Sequence, residues 1–166
     1  MSYRNKTYTI FDGDTDMWTY GFMNGWRSLE RIDFDFHDAH DLKPLTDRAS
    51  EETIRARLRD RLSNTKQAIV LIGENTRNLY CFVRWEMETC LRLDIPMIAV
   101  NLNGQRGMDA ERCPPILKGE YVVHVSFQMK IIQYALDHFT TEYHRRSANA
   151  VGDRVFNPSV YAQLGL

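Results

Sequence analysis

Cysteine is scarce. Cys81, Cys90 and Cys113 are odd in number and none stands in C-x-x-C spacing, so neither a disulfide framework nor a zinc knuckle is encoded. A reducing cytosol fits such a chain. Long apolar runs are missing as well: no stretch approaches the ~18 apolar residues a membrane span needs, and the polar residues 1–7 are followed by no apolar secretory core. An excess of one charge is also absent, because 21 Lys and Arg stand against 22 Asp and Glu, which leaves no global field for nucleic acid or an anionic membrane. There is no internal repeat and no low-complexity tract. What is present, 43% hydrophobic and 26% charged residues in a chain of 166, has the profile of one globular domain with material for a full core. A single soluble, cytoplasmic domain is the expectation.

The apolar pattern alternates between strand and helix, the signature of a parallel sheet covered on both faces by helices. Residues 7–11 predict the first strand, which ends in Asp12, Gly13, Asp14, Thr15 and Asp16; the turn former and capping acids there start a helix over 17–29. In residues 32–36, Ile32, Phe34 and Phe36 alternate with Asp33 and Asp35, the period of an edge strand with one polar face. A polar loop over 37–49 follows. Ser50, with Glu51 and Glu52, caps a helix to residue 62 whose Ile54, Leu58 and Leu62 recur every fourth residue. Residues 68–72 and 95–100 are continuous apolar runs of the buried central-strand type, and 80–93 between them reads as a helix with Val83, Met87 and Cys90 or Leu91 as its stripe. Residues 121–125 predict the last strand and 128–146 a long final helix. Residues 101–118, with Gly104, Gly107, Pro114 and Pro115, are expected to form an irregular surface excursion, and 147–166 a tail with apolar anchors at Val151, Phe156, Tyr161 and Leu164.

In open parallel sheets, ligands bind beyond the carboxyl ends of the strands, where the strand-to-helix loops converge. Those loops carry Asp12, Asp14 and Asp16; then His37, Asp38, His40 and Asp41; then Glu74, Asn75, Thr76, Arg77 and Asn78. The alternating aspartates suggest a calcium loop, but Met17 follows Asp16 where glycine is needed and Met23 stands where the closing glutamate belongs. Turn and helix-cap duty explains at least two of them better. His37 and His40 in H-x-x-H spacing lack a third ligand, so no metal site is expected. A receiver-type phosphorylation pocket needs an aspartate at the end of the central strand, where this chain has Leu71, Ile72 and Gly73.

Glu86 is the residue the helical pattern makes odd. It stands three after Val83 and four before Cys90, bordering the buried stripe, whereas Glu88 lies four residues from both Arg84 and Arg92 and reads as an exposed ion pair. From pattern alone, a boundary carboxylate held by a neighbouring loop explains Glu86 slightly better than catalysis.

Four segments carry a resemblance. They are Lys6-Thr7-Tyr8-Thr9-Ile10-Phe11-Asp12-Gly13-Asp14, Ile32-Asp33-Phe34-Asp35-Phe36-His37-Asp38-Ala39-His40, Val70-Leu71-Ile72-Gly73-Glu74-Asn75-Thr76 and, most strongly, Phe82-Val83-Arg84-Trp85-Glu86-Met87-Glu88. The chain resembles the TIR-like family typified by ThsB of the bacterial Thoeris antiphage system. The likeness runs from about residue 6 to the helix after Val125, and a division into a TIR-like domain (1–146) and a tail (147–166) is expected. The resemblance implies an α/β flavodoxin-like, doubly wound parallel sheet with helices on both faces. It also implies an NAD⁺ glycohydrolase or ADP-ribosyl cyclase that takes NAD⁺ as substrate without a further cofactor. The family's Arg-aromatic-Glu motif places the catalytic carboxylate on Glu86, beside Arg84 and Trp85 as substrate contacts. Phe11 and Trp85 are then candidates to pack on nicotinamide or ribose, and Asp12 and Asp14 to hold hydroxyls or the carboxamide; for Trp85, packing on a neighbouring loop is an equal alternative. Implied partners are an effector protein that senses the nucleotide product, a phage component as activator, and a second copy of the chain. The runner-up reading is a non-enzymatic TIR-like module that binds a partner protein or a nucleotide without turnover.

Overall fold

The computed structural model describes residues 6–29, the backbone of 37–38, and 50–166. Its sheet contains β1 (Lys6–Ile10), β2 (His37–Asp38), β3 (Gln67–Ile72), β4 (Met97–Asn101), β5 (Val123–Ser126) and β6 (Arg154–Val155). The helices are α1 (Met17–Arg27), α2 (Glu51–Leu62), α3 (Phe82–Arg92), α4 (Met129–Arg145) and α5 (Pro158–Gln163). The strands lie in the order β2-β1-β3-β4-β5-β6, and every neighbouring pair is parallel. This is the doubly wound, flavodoxin-like α/β architecture expected from the alternating pattern. No helix among the described residues is long and apolar enough to cross a membrane.

Side chains that alternate along the central strands make two cores. Ile69, Leu71, Ile98 and Val100 point to one face and meet Met23 of α1 with Ile132, Leu136 and Phe139 of α4. Tyr8, Ile10, Val70, Ile72 and Ala99 point to the other and meet Leu62 of α2 with Met87 and Cys90 of α3. The winding reverses between β1 and β3, which register Thr7↔Gln67 through Ile10↔Val70, so this is the switch point where ligands bind in folds of this kind.

Local signals act as their chemistry dictates. The Ser50 hydroxyl accepts the Thr53 N–H at the start of α2, with Glu51 and Glu52 in the first turn. The expected edge strand over 32–36 and the loop residues 39–49 lie outside the described residues; β2 pairs with β1 as Lys6↔His37 and Thr7↔Asp38. Residues 101–118 are irregular but not superficial throughout. Cys113 and Leu117 are fully buried, and the Asp109 carboxylate accepts from the backbone N–H groups of Glu111 and Arg112.

The segment after 147 differs from the expected tail. Arg154 and Val155 extend the sheet beyond β5, so residues 121–125 do not contain its last strand. Asn157 then caps α5, whose Tyr161 is buried, and Phe156 meets the Tyr134 ring edge-on. Of the four expected anchors, Phe156, Tyr161 and Leu164 pack on the core while Val151 is exposed. A two-residue strand has no readable period; it is held by its pairing to β5, with the Arg154 N–H donating to Val122 O.

Candidate active site

The loop from β1 to α1 is built by its own acids. One oxygen of Asp12 accepts the Asp14 N–H and the other accepts the Thr15 hydroxyl, an Asx-type turn that leaves Asp12 buried and Asp14 exposed. Asp16 is buried where the loop after β3 passes. A Cβ on Gly73 would lie 2.3 Å from Asp16 Oδ2, so only glycine lets these two loops meet so closely. Burial, reinforced by the neighbouring Asp12 and Glu74, pushes the Asp16 carboxyl above the usual range.

On the other side of the β1 to α1 loop, a cavity of about 660 Å³ opens between that loop, α2 and the start of α3. Phe11, Asp12, Asp14 and Met17 line one wall, and Leu79, Tyr80, Cys81, Phe82 and Val83 the other. Glu86 lies at its base. This side chain is only 5% exposed, because the helical phase that buries Met87 and Cys90 turns it inward as well. The Tyr8 hydroxyl, reaching up from β1, donates to Glu86 Oε1 at 2.5 Å.

Burial and its polar neighbours pull the Glu86 carboxyl in opposite directions. Burial drives its carboxyl up to about 7, against the opposing pull of the Tyr8 hydrogen bond and the Arg61 guanidinium. Burial, and then the Glu86 carboxylate, pushes the Tyr8 phenol far above its ordinary value, so it stays a hydrogen-bond donor. The Cys90 thiol is also raised, by burial and then by Glu86, and is held neutral.

Of the residues singled out in the sequence, Glu86, Phe11, Asp12 and Asp14 line one cavity. Arg84 and Trp85 do not line it. Arg84 Nε donates to Glu88 Oε1 at 3.0 Å, and Trp85 packs edge-on to Phe82 beneath the Arg55 guanidinium, 4.8 Å from the ring centre. Glu88 is a paired acid as expected, but its second partner is Arg55 of α2 at 2.7 Å, an inter-helix clamp in place of the expected Arg92 pairing. His37 and Asp38 lie on β2 with side chains outside the described residues, as are His40 and Asp41. Among the described residues, no group of three His, Cys, Asp or Glu side chains is placed to hold a metal.

Sequence reasoning missed Tyr8 and the wall formed by Leu79 to Val83. For Tyr8 there was a signal: a tyrosine in the middle of a buried strand must bring its hydroxyl to an acceptor.

Residues 4–107 match the sequence model of the family described as Thoeris protein ThsB, TIR-like domain, a span that includes Tyr8, the β1 to α1 loop and all of α3. No curated protein matches the chain. With more than half of its length matched, and with the parallel sheet such a domain requires, the chain belongs to the TIR-like domain family of Thoeris protein ThsB, a family of antiphage defence.

Proposed function

We propose that this domain cleaves NAD⁺ at the nicotinamide–ribose bond and passes the ADP-ribose moiety into a nucleotide signal for a separate effector protein. The observation that carries the reading is Glu86, a buried carboxylate that lines a cavity of about 660 Å³ and accepts the Tyr8 hydroxyl through Oε1. Such a volume lies in the range of small-molecule sites, ~300–1,000 Å³.

The chemistry asks little of the protein beyond a well-placed negative charge. The C1–N bond breaks with both electrons going to the pyridinium nitrogen, so nicotinamide leaves neutral and needs no general acid. Positive charge develops on the ribose, and in this reading Glu86 accepts the ribose hydroxyls and faces the oxocarbenium. Phe11 supplies an aromatic wall, its ring already stacked on Tyr20 at 4.8 Å. Asp12, with both oxygens engaged by its own loop, shapes the wall, and the exposed Asp14 is the freer acid to meet a substrate hydroxyl or carboxamide. What attacks C1 next sets the product: water gives ADP-ribose, an atom of the same nucleotide gives a cyclic isomer, and another small molecule gives a conjugate.

A low resting rate is part of the reading, since unregulated loss of NAD⁺ would harm the host cell; assembly or a phage component would raise it. Chromatography of nicotinamide released from NAD⁺ by the wild type and by Glu86→Gln tests the proposal. Release by the wild type with a loss of ~10²-fold or more in the variant supports it. Tight NAD⁺ binding without release, at any protein concentration, supports the non-enzymatic module in its place.

A further inference from the structure

Asp16 does not do the work its position offers. It stands at the N-cap of α1, where an aspartate ordinarily accepts a backbone N–H of the first turn, yet its side chain makes no capping bond. Its backbone carbonyl serves instead, accepting the Thr19 N–H and the Thr19 hydroxyl. The residue is only 6% exposed, and its Oδ2 is buried and accepts no hydrogen bond from any described residue. A buried acceptor without a donor is costly, and a charged one more so. Glycine at 73 is what admits it, since a Cβ there would lie 2.3 Å from Oδ2.

This carboxyl lines a second cavity, of about 330 Å³, across the β1 to α1 loop from Glu86; no residue lines both. Trp18 and Leu102 give it apolar walls, and Glu74 and Arg112 add opposite charges that pair at 3.4 Å. The Trp18 ring is held in place edge-on by Phe22 at 5.9 Å and by Phe127 at 6.4 Å, so little side-chain freedom is lost when something packs on it.

We propose that this cavity binds a small organic cation, a primary ammonium with a short apolar chain, whose N–H donates to Asp16 Oδ2 while the chain lies on Trp18 and Leu102. An ionised carboxylate is acceptor-only, so what completes it is a donor. The surrounding charge makes that donor a cation. Burial raises the Asp16 carboxyl first, and of the charges around it Asp12 and Glu74 push the same way more strongly than Arg112 opposes. An ammonium relieves that surplus of negative charge, whereas an anion would meet it. An indole in the wall favours a cation as well. A metal ion is the poorer fit, because among the described residues no group of three His, Cys, Asp or Glu side chains is placed to ligate one. The volume stands near the lower end of small-molecule sites, ~300–1,000 Å³, which suits a ligand of a few heavy atoms and is too small for a dinucleotide.

The test is an NMR titration of the Trp18 indole N–H in the full chain, the signal being assigned by its loss in Trp18→Phe. The probes are n-butylammonium and, as its uncharged counterpart of the same size, 1-butanol. Butylammonium should shift the signal saturably, with a dissociation constant in the millimolar range for so small a ligand. 1-Butanol should bind at least ~10-fold more weakly, and so should butylammonium to Asp16→Asn. That variant keeps the shape and removes a crowded charge, so it should melt no lower than wild type. A wild type with no saturable shift by about 100 mM butylammonium overturns the proposal. Equal binding of 1-butanol overturns it without recourse to any variant, and so does a folded Asp16→Asn that binds butylammonium unchanged.

Discussion

Two glutamates two residues apart on α3 show how position, not chemistry, assigns a role. Glu86 faces inward, is 5% exposed, has one neutral partner and carries a carboxyl pushed up to about 7. Glu88 faces α2, accepts from Arg55 and Arg84, and is held below the usual carboxylate range by those hydrogen bonds. On a helix two residues are ~200° apart, so neighbours in sequence meet opposite surroundings. One acid is kept short of partners and the other is saturated with them. Burial raises the first carboxyl; the pairing of the second joins two helices.

The contrast breaks most visibly in turnover. Glu86→Gln keeps the shape and can still accept the Tyr8 hydroxyl, so nicotinamide release should fall by ~10²-fold or more while circular dichroism stays unchanged. Equal release by both proteins removes Glu86 from the chemistry. A smaller effect comes through the partner. Tyr8→Phe deletes a hydrogen bond that favours the ionised carboxylate, so the Glu86 pKa should climb further above about 7. In the proposed mechanism the ionised form is the active one, so nicotinamide release should rise with pH through that value. The variant should lose roughly up to 10-fold at pH 7 and recover most of it by about pH 9, whereas a merely structural loss would be flat in pH. A pH–rate profile of both proteins separates these outcomes. Chelator should change neither profile, since departure of nicotinamide needs no Lewis acid.

How much of this was legible follows from which interactions are local. Uninterrupted apolar runs marked β3 and β4, and Ser50 marked the start of α2, because burial and capping are written within a few residues. Glu86 stood out as an acid on an apolar border. Tyr8 did not, because its role is fixed by a contact across 78 positions that no window of sequence contains. Arg84 and Trp85 belong to the same motif as Glu86, yet they lie ~200° and ~100° round the helix from it and contact Glu88, Phe82 and Arg55. The strand β6 was illegible for a related reason: two exposed residues have no pattern, and what pairs them, the Arg154 N–H bonded to Val122 O and the Arg154–Glu142 ion pair, comes from residues distant in sequence.

The contrast sharpens in stability, where the effects are smaller and opposite in sign. In the unfolded chain the Glu86 carboxyl ionises near its ordinary value of 4.5, whereas in the folded domain it keeps its proton to about 7. Between those values the folded state binds more protons, so wild-type stability falls as pH rises through the window. Glu86→Gln carries no such penalty and should be the more stable protein at pH 8, by on the order of 1–3 kcal/mol, with the advantage gone near pH 4.

Glu88→Gln should do the reverse, and more weakly. The folded Glu88 carboxyl ionises below its ordinary range because Arg55 and Arg84 donate to it, so its pairing adds stability above that range and loses it as pH falls through the lowered value. The pair is only partly shielded, with 19% of the Glu88 side chain and 25% of Arg55 exposed, and solvent screening keeps its worth small. The variant should melt no more than about 4 °C below wild type at pH 7, should match it once the pH lies below the lowered Glu88 value, and should release nicotinamide at the wild-type rate. Melting points of both variants against pH would then converge on wild type from opposite sides as pH falls. If Glu88→Gln abolishes turnover with its melting point intact, the catalytic carboxylate is Glu88 and the assignment of roles on α3 is inverted.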